Sequence, residues 1–122
     1  MANILVIDDD EEMRELLKMM LMDEHHDVTT AENGLKAMRF YHNQKFDLII
    51  TDIIMPDKDG FEVIFDIFES GIDTPIIAMS GGRRSITSEF GLNSATVMGV
   101  QATLHKPFTE LQLNEAIKWI LG

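Results

Sequence analysis

Asp47-Leu48-Ile49-Ile50-Thr51-Asp52 is the stretch that decides the fold. A short apolar run bounded in this way reads as a buried strand. Asp52 therefore stands where that strand leaves the sheet, ahead of Ile53-Ile54-Met55-Pro56. Three other apolar runs also end in chemically able residues. Ile4-Leu5-Val6-Ile7 runs into Asp8-Asp9-Asp10, Pro75-Ile76-Ile77-Ala78-Met79 into Ser80, and Ala102-Thr103-Leu104-His105 into Lys106-Pro107. If these strands are parallel neighbours, carboxylates, a hydroxyl and an amine meet at one edge of one sheet. That edge is where open α/β sheets bind ligands.

Helical signals fill the intervals. Met13, Leu16, Leu17, Met20 and Leu21 recur at helical spacing, and His25 and His26 mark the end of that helix. Val28 to Ala31 reads as a short strand, and the turn Asn33-Gly34 precedes a helix carrying Leu35, Met38 and Tyr41. A helix from about Phe61 to Glu69 stops at Gly71. A weak helix follows Gly81-Gly82-Arg83-Arg84, because Gly91, Asn93, Ser94, Thr96 and Val97 all have low helix propensity. That segment is expected to be the most mobile part of the fold. Leu113, Ala116, Ile117, Ile120 and Leu121 mark the last helix. Strict alternation predicts an α/β fold: a five-stranded parallel sheet with helices on both faces and right-handed crossovers.

The bulk properties narrow the function. At 122 residues the chain fits one domain, 1–122. A net charge of -11 argues against nucleic acid as a direct partner, because phosphates would be repelled. There is no cysteine, hence no disulfide and no thiol chemistry. No apolar run approaches the length of a membrane span. The first strand begins almost at Met1 with acids close behind, so a cytoplasmic location is expected.

Each candidate residue has an ordinary explanation. An Asp after a strand is commonly a turn residue or helix cap. The acids from Asp8 to Glu12 suit the first turn of a helix. Ser80 could be a loop hydroxyl, and Lys106-Pro107 a strand end. Their joint placement at successive strand ends is what points to a site. Asp8, Asp9 and Asp52 would repel one another unless a cation intervened. Mg²⁺ prefers a few carboxylate oxygens and keeps several waters. A carboxylate can itself become an aspartyl-phosphate. Lys106 and Ser80 could then engage phosphoryl oxygens, with Gly81 leaving open space beside them.

Over its whole length the chain resembles the receiver domain of bacterial two-component response regulators. The resemblance rests on Asp8-Asp9-Asp10-Glu11-Glu12, Glu32-Asn33-Gly34, Asp52 through Gly60, Ser80-Gly81 and Lys106-Pro107-Phe108. It implies a flavodoxin-like, doubly wound sheet of order 2-1-3-4-5. It implies that Asp52 accepts a phosphoryl group from a histidine kinase or phosphotransfer protein. It also implies Mg²⁺ held by Asp9, Asp52 and the Ile54 carbonyl, with Asp8 acting largely through water. Implied partners are that phosphodonor and a downstream protein target, with the chain a monomer or weak dimer.

One position departs from the pattern. The family usually places an aromatic residue three before the site lysine, and here that residue is Thr103. Switching is then expected to run through Ser80 and the segment 81–98, or the protein passes phosphate onward. Arg83 and Arg84 read as solvated loop charges. Phe61, Val63, Ile64, Phe65, Ile67 and Phe68 spread over an arc of roughly 200° at about 100° per residue. A broad buried face and an exposed aromatic edge at Phe65 both fit that arc. The alternative function is a haloacid-dehalogenase-like phosphatase using Asp8 as nucleophile. It needs a late acidic pair and a cap, and would leave Asp52 without a role. A calcium loop at Asp57-x-Asp59-Gly60 lacks its later Glu.

Overall fold

A computed structural model describes residues 2–53, 55, 60–80 and 99–122. Its elements, in chain order, are β1 (Asn3–Ile7), α1 (Glu11–Asp23), β2 (Asp27–Ala31), α2 (Gly34–Asn43), β3 (Leu48–Asp52), α3 (Gly60–Glu69), β4 (Ile76–Ser80), β5 (Ala102–His105) and α4 (Glu110–Leu121). The weak helix expected between Gly81 and Met98, Arg83 and Arg84 included, lies outside the described residues, as do Ile54 and Gly81.

The strands form one parallel sheet in the order β2-β1-β3-β4-β5, as the alternation and the resemblance predict. Side chains alternate across a strand, and here the alternation divides the core in two. Leu5, Ile7, Ile49, Ile76 and Ala78 pack under α2 and α3 with Met38, Tyr41, Ile64 and Ile67. Ile4, Val6, Leu48, Ile50, Ile77, Met79 and Leu104 pack under α1 and α4 with Leu17, Leu21, Leu113 and Ile117. Every residue of β3 and β4 is buried. A central strand covered on both faces has no solvent side to advertise, hence its continuous apolar run. Among the described residues no helix is long and apolar enough to cross a membrane.

The helix starts follow from local chemistry. Asp10 caps α1 by accepting from the Glu12 N–H, and Asn33 caps α2 by accepting from Lys36. Thr109 and Gln112 close a reciprocal capping box on α4. One boundary differs from the sequence reading. α1 ends at Asp23, and the chain turns at His25, whose φ is 67°. His26 then accepts a hydrogen bond at Nδ1 from the Ala2 N–H (3.1 Å), so it pins the start of the chain and is no longer helical. On α3, Val63, Ile64 and Ile67 are buried, whereas Phe65 is 56% and Phe68 40% exposed. The wide apolar arc therefore carries an exposed aromatic edge.

Candidate functional site

Register brings the candidate residues to one level. Ile7 pairs with Thr51, so Asp8 and Asp52 both follow directly at the sheet edge. Ser80 pairs with His105, one residue before Lys106. Asp8, Asp52, Ser80 and Lys106 are all buried, with Asp8 fully inaccessible. Asp9 is half-buried. One carboxylate oxygen from each of Asp8, Asp9 and Asp52 falls within 4.8 Å of the others, a grouping able to hold a cation.

Lys106 is central to this arrangement. Its ammonium donates to Asp8 Oδ2 at 2.7 Å and to Asp52 Oδ2 at 3.0 Å. Burial alone would pull its pKa down. The hydrogen bond to Asp8 and the charges of Asp52 and Asp8 outweigh that, leaving it above the ordinary lysine value. The amine therefore stays charged throughout the neutral range. Its backbone N–H donates to the Ser80 carbonyl at 2.7 Å, which fixes where the side chain starts. The Lys106–Pro107 peptide is cis.

Asp8 is held from several sides. Its N–H donates to the Ala31 carbonyl, its Oδ1 accepts from the Asp10 N–H at 2.9 Å, and its Oδ2 accepts from Lys106. Both oxygens are thus engaged by the protein. An Asp8 so occupied suits a supporting role, as the sequence reading has it. The same occupancy disfavours the phosphatase alternative, which needs Asp8 as an exposed nucleophile. Thr51 Oγ1 donates to the Asp52 carbonyl at 2.9 Å and is itself buried. Thr103 is half-buried in β5 opposite Ala78. Ala102 and Leu104 belong to the core beneath α1 and α4, so alternation turns Thr103 to the other face.

Two residues at this edge are not singled out by the sequence reading. Gly60 opens α3, and its N–H donates to the Ile53 carbonyl at 2.7 Å. A methyl group there would collide with the Asp52 carbonyl oxygen and come within 2.6 Å of Ile53 Cα. Only glycine allows this close approach behind the Asp52 peptide. Arg14, half-buried on α1, donates from Nη1 to the Asp8 carbonyl at 2.9 Å.

A doubly wound parallel sheet with buried acids and a lysine at its carboxyl edge defines a class of phosphate- and cation-handling α/β modules. Comparison narrows the class to one family. The family model for the response regulator receiver domain matches residues 4–118, and the chain belongs to that family. Chemotaxis protein CheY of Halobacterium salinarum is 34% identical, covering 97% of this chain and 95% of that protein. The transcriptional regulatory protein CpxR homolog of Haemophilus influenzae is also 34% identical over 99% of the chain, which spans about half (51%) of that regulator's length. Chemotaxis protein CheY4 of Vibrio cholerae superposes with a TM-score of 0.85 at 28% identity, covering 99% of each chain. A response regulator receiver domain from Clostridium thermocellum superposes with a TM-score of 0.90 at 26% identity, covering 99% of this chain and 94% of that one. The protein is a receiver domain of the two-component type, a phosphorylation-dependent signalling switch. Domains of this family interact with histidine kinases and with downstream effectors.

Proposed function

We propose that residues 1–122 form one receiver domain whose phosphoacceptor is Asp52, acting with Mg²⁺ and exchanging phosphate with a histidine kinase or histidine phosphotransfer protein in the cytoplasm. The observation that carries this reading is the Lys106 ammonium shared between the buried carboxylates of Asp8 and Asp52, with Asp9 beside them. A carboxylate oxygen of Asp52 attacks phosphorus, the P–N bond to the donor imidazole breaks, and a P–O bond forms. The imidazole departs with the electron pair and takes up a proton. The charged Lys106 ammonium beside Asp52 supports a role for it in meeting a phosphoryl oxygen, the kind of charge neutralisation that phosphoryl transfer rewards. Ser80 and Gly81 are assigned to the remaining phosphoryl oxygens.

The hard-oxygen set fits Mg²⁺. Asp9 and Asp52 would be its direct ligands with the Ile54 carbonyl, and Asp8 would support from behind. When bound, the ion offsets the negative charge of carboxylates and phosphate together. With Thr103 in place of an aromatic, the output is assigned to Ser80 and the segment 81–98, by altered binding of a downstream protein or by onward relay. A monomer or weak dimer needs no further interface for that. The protein turns over no substrate of its own beyond gaining and losing this phosphoryl group. The test is intact-mass analysis after incubation with acetyl phosphate and Mg²⁺. One phosphoryl adduct is expected on wild type and none on Asp52→Asn. An adduct on Asp52→Asn at the wild-type level would overturn the assignment.

A further inference from the structure

We infer that α2 and α3 form one self-complementary surface through which two copies of this chain associate, the basic α2 of each lying over the acidic, aromatic α3 of the other. The inference is independent of the phosphoacceptor assignment.

Charge is sorted between the two helices. Residues 33–46 carry Lys36, Arg39, His42 and Lys45 and no acid, in a chain of net charge -11. Residues 60–80 carry Glu62, Asp66, Glu69 and Asp73 and no Lys, Arg or His. The two helices lie side by side on one face of the sheet, linked by a hydrogen bond between the Tyr41 hydroxyl and Ser70 Oγ at 3.2 Å. Both are crossovers between parallel strands, so they run the same way. Each has ten residues, and the same positions face inward: Gly34, Ala37, Met38 and Tyr41 on α2, and Gly60, Val63, Ile64 and Ile67 on α3. At about 100° per residue the outward positions therefore match as well. Lys36 corresponds to Glu62, Arg39 to Phe65 and Asn43 to Glu69, and all six are exposed.

A two-fold axis parallel to the helices sets α2 of one copy over α3 of the other, level with it. Cationic positions then oppose acidic ones. The Arg39 guanidinium meets the partner's Phe65 ring, with the partner's Glu69 about one turn (~5.4 Å) further along. Exposed apolar side chains stand among these charges: Leu35 and Phe40 on α2, Phe65 on α3 and Ile72 just beyond it. Aromatic anchors within a charged rim are the composition of an interface. Lys36 already pairs with Glu32, which assigns Arg39 and Lys45 to the second copy. Among the described residues, no ion pair joins Arg39 or Lys45 to Glu69 or Asp73 within one copy. Each helix is only about 15 Å long, and two copies of charge -11 repel at a distance. The contact is therefore small and reversible.

Sedimentation equilibrium on the full chain tests this, with urea midpoints confirming that each variant is folded. Wild type should show a concentration-dependent monomer–dimer equilibrium. Arg39→Glu and Phe65→Ala should each weaken it at least about tenfold, since each change occurs twice in a symmetric dimer. Glu69→Lys separates a specific contact from overall repulsion. It makes the chain less negative, so repulsion alone predicts tighter association, whereas the interface predicts a loss of about tenfold. Arg39→Glu with Glu69→Lys keeps the net charge at -11 and should recover most of the association. A wild type that stays monomeric into the millimolar range overturns the inference. So does a Glu69→Lys dimer as tight as wild type or tighter, or a double variant no better than the single ones. Amide NMR shifts of wild type over a dilution series give an arm that needs no variant. They should move at residues 35–45 and 61–73. Movement confined to α1 or α4 puts the contact elsewhere and overturns the inference.

Discussion

Replacing Lys106 with Met removes the cation that bridges the buried carboxylates of Asp8 and Asp52. At about 3 Å and an effective dielectric of about 20, each unit-charge attraction is on the order of 5 kcal/mol before desolvation is subtracted. Most of that gross figure is offset, because three ions have been taken from water. What survives is the penalty for stranding the partners, about 3–5 kcal/mol when one member of a buried ion pair is deleted. Against a typical domain stability of roughly 5–15 kcal/mol this is a large fraction. Urea unfolding of Lys106→Met in EDTA should therefore show a loss of about 3–5 kcal/mol. Mg²⁺ should restore more stability to this variant than to wild type, since a second cation answers the same excess charge. Asp8→Asn placed on top should also recover part of the loss. A variant within about 1 kcal/mol of wild type in EDTA would refute the reasoning, as would a double variant no better than the single one. The first result would mean that water, and not Lys106, compensates these acids.

Further outcomes follow from other parts of the molecule. Gly60→Ala should destabilise by about 1–3 kcal/mol, the usual cost of overpacking, as read from thermal or urea midpoints. Its methyl meets the Asp52 peptide, so Mg²⁺ affinity should fall in parallel. His26 is held below the ordinary histidine value, first by burial and then by the chain's amino terminus. The folded state therefore binds fewer protons there than the unfolded chain. That contribution is intact above about pH 6.5 and is lost as pH falls below it, so His26→Gln should show a shallower loss of stability between neutral and mildly acidic buffer. The Lys106 shift has the opposite sense. Its contribution is present below the ordinary lysine value and lost as pH rises through the raised folded one, so alkaline unfolding should come earlier in Asp8→Asn. Amide exchange with and without a beryllofluoride phosphate mimic should change most between Gly81 and Met98 and little at Thr103. Change confined to α3 would move the output to the Phe65 edge.

The parts legible in the sequence were those where one residue type has one good explanation. β1, β3 and β4 are continuous apolar runs because both faces are covered, and the acids that end them have nowhere to go but the sheet edge. β2 gave a fainter signal, since Asp27, Val28, Thr29 and Thr30 sit on an edge strand that is only partly buried. Lys106 was legible as a residue of the sheet edge but not as the counter-ion of Asp8, a contact across 98 residues that no local pattern encodes. Gly60 looked like the end of a loop because the crowding that demands glycine comes from Asp52 and Ile53, on a different element. Arg14 looked like one more charge on an acidic helix. Only its reach back to the Asp8 carbonyl distinguishes it. The exposed rim of α3 depends on where its neighbours stop, which helical spacing does not report.

The ammonium that completes the site comes from the end of the last strand, 98 residues after Asp8 and 54 after Asp52. During synthesis, both acids leave the ribosome long before it does. A nascent or truncated chain ending before β5 would carry two interior carboxylates without their counter-ion, on a sheet still missing its final edge. Such a fragment lacks the charge balance of the finished site, which is complete only once β5 has been made.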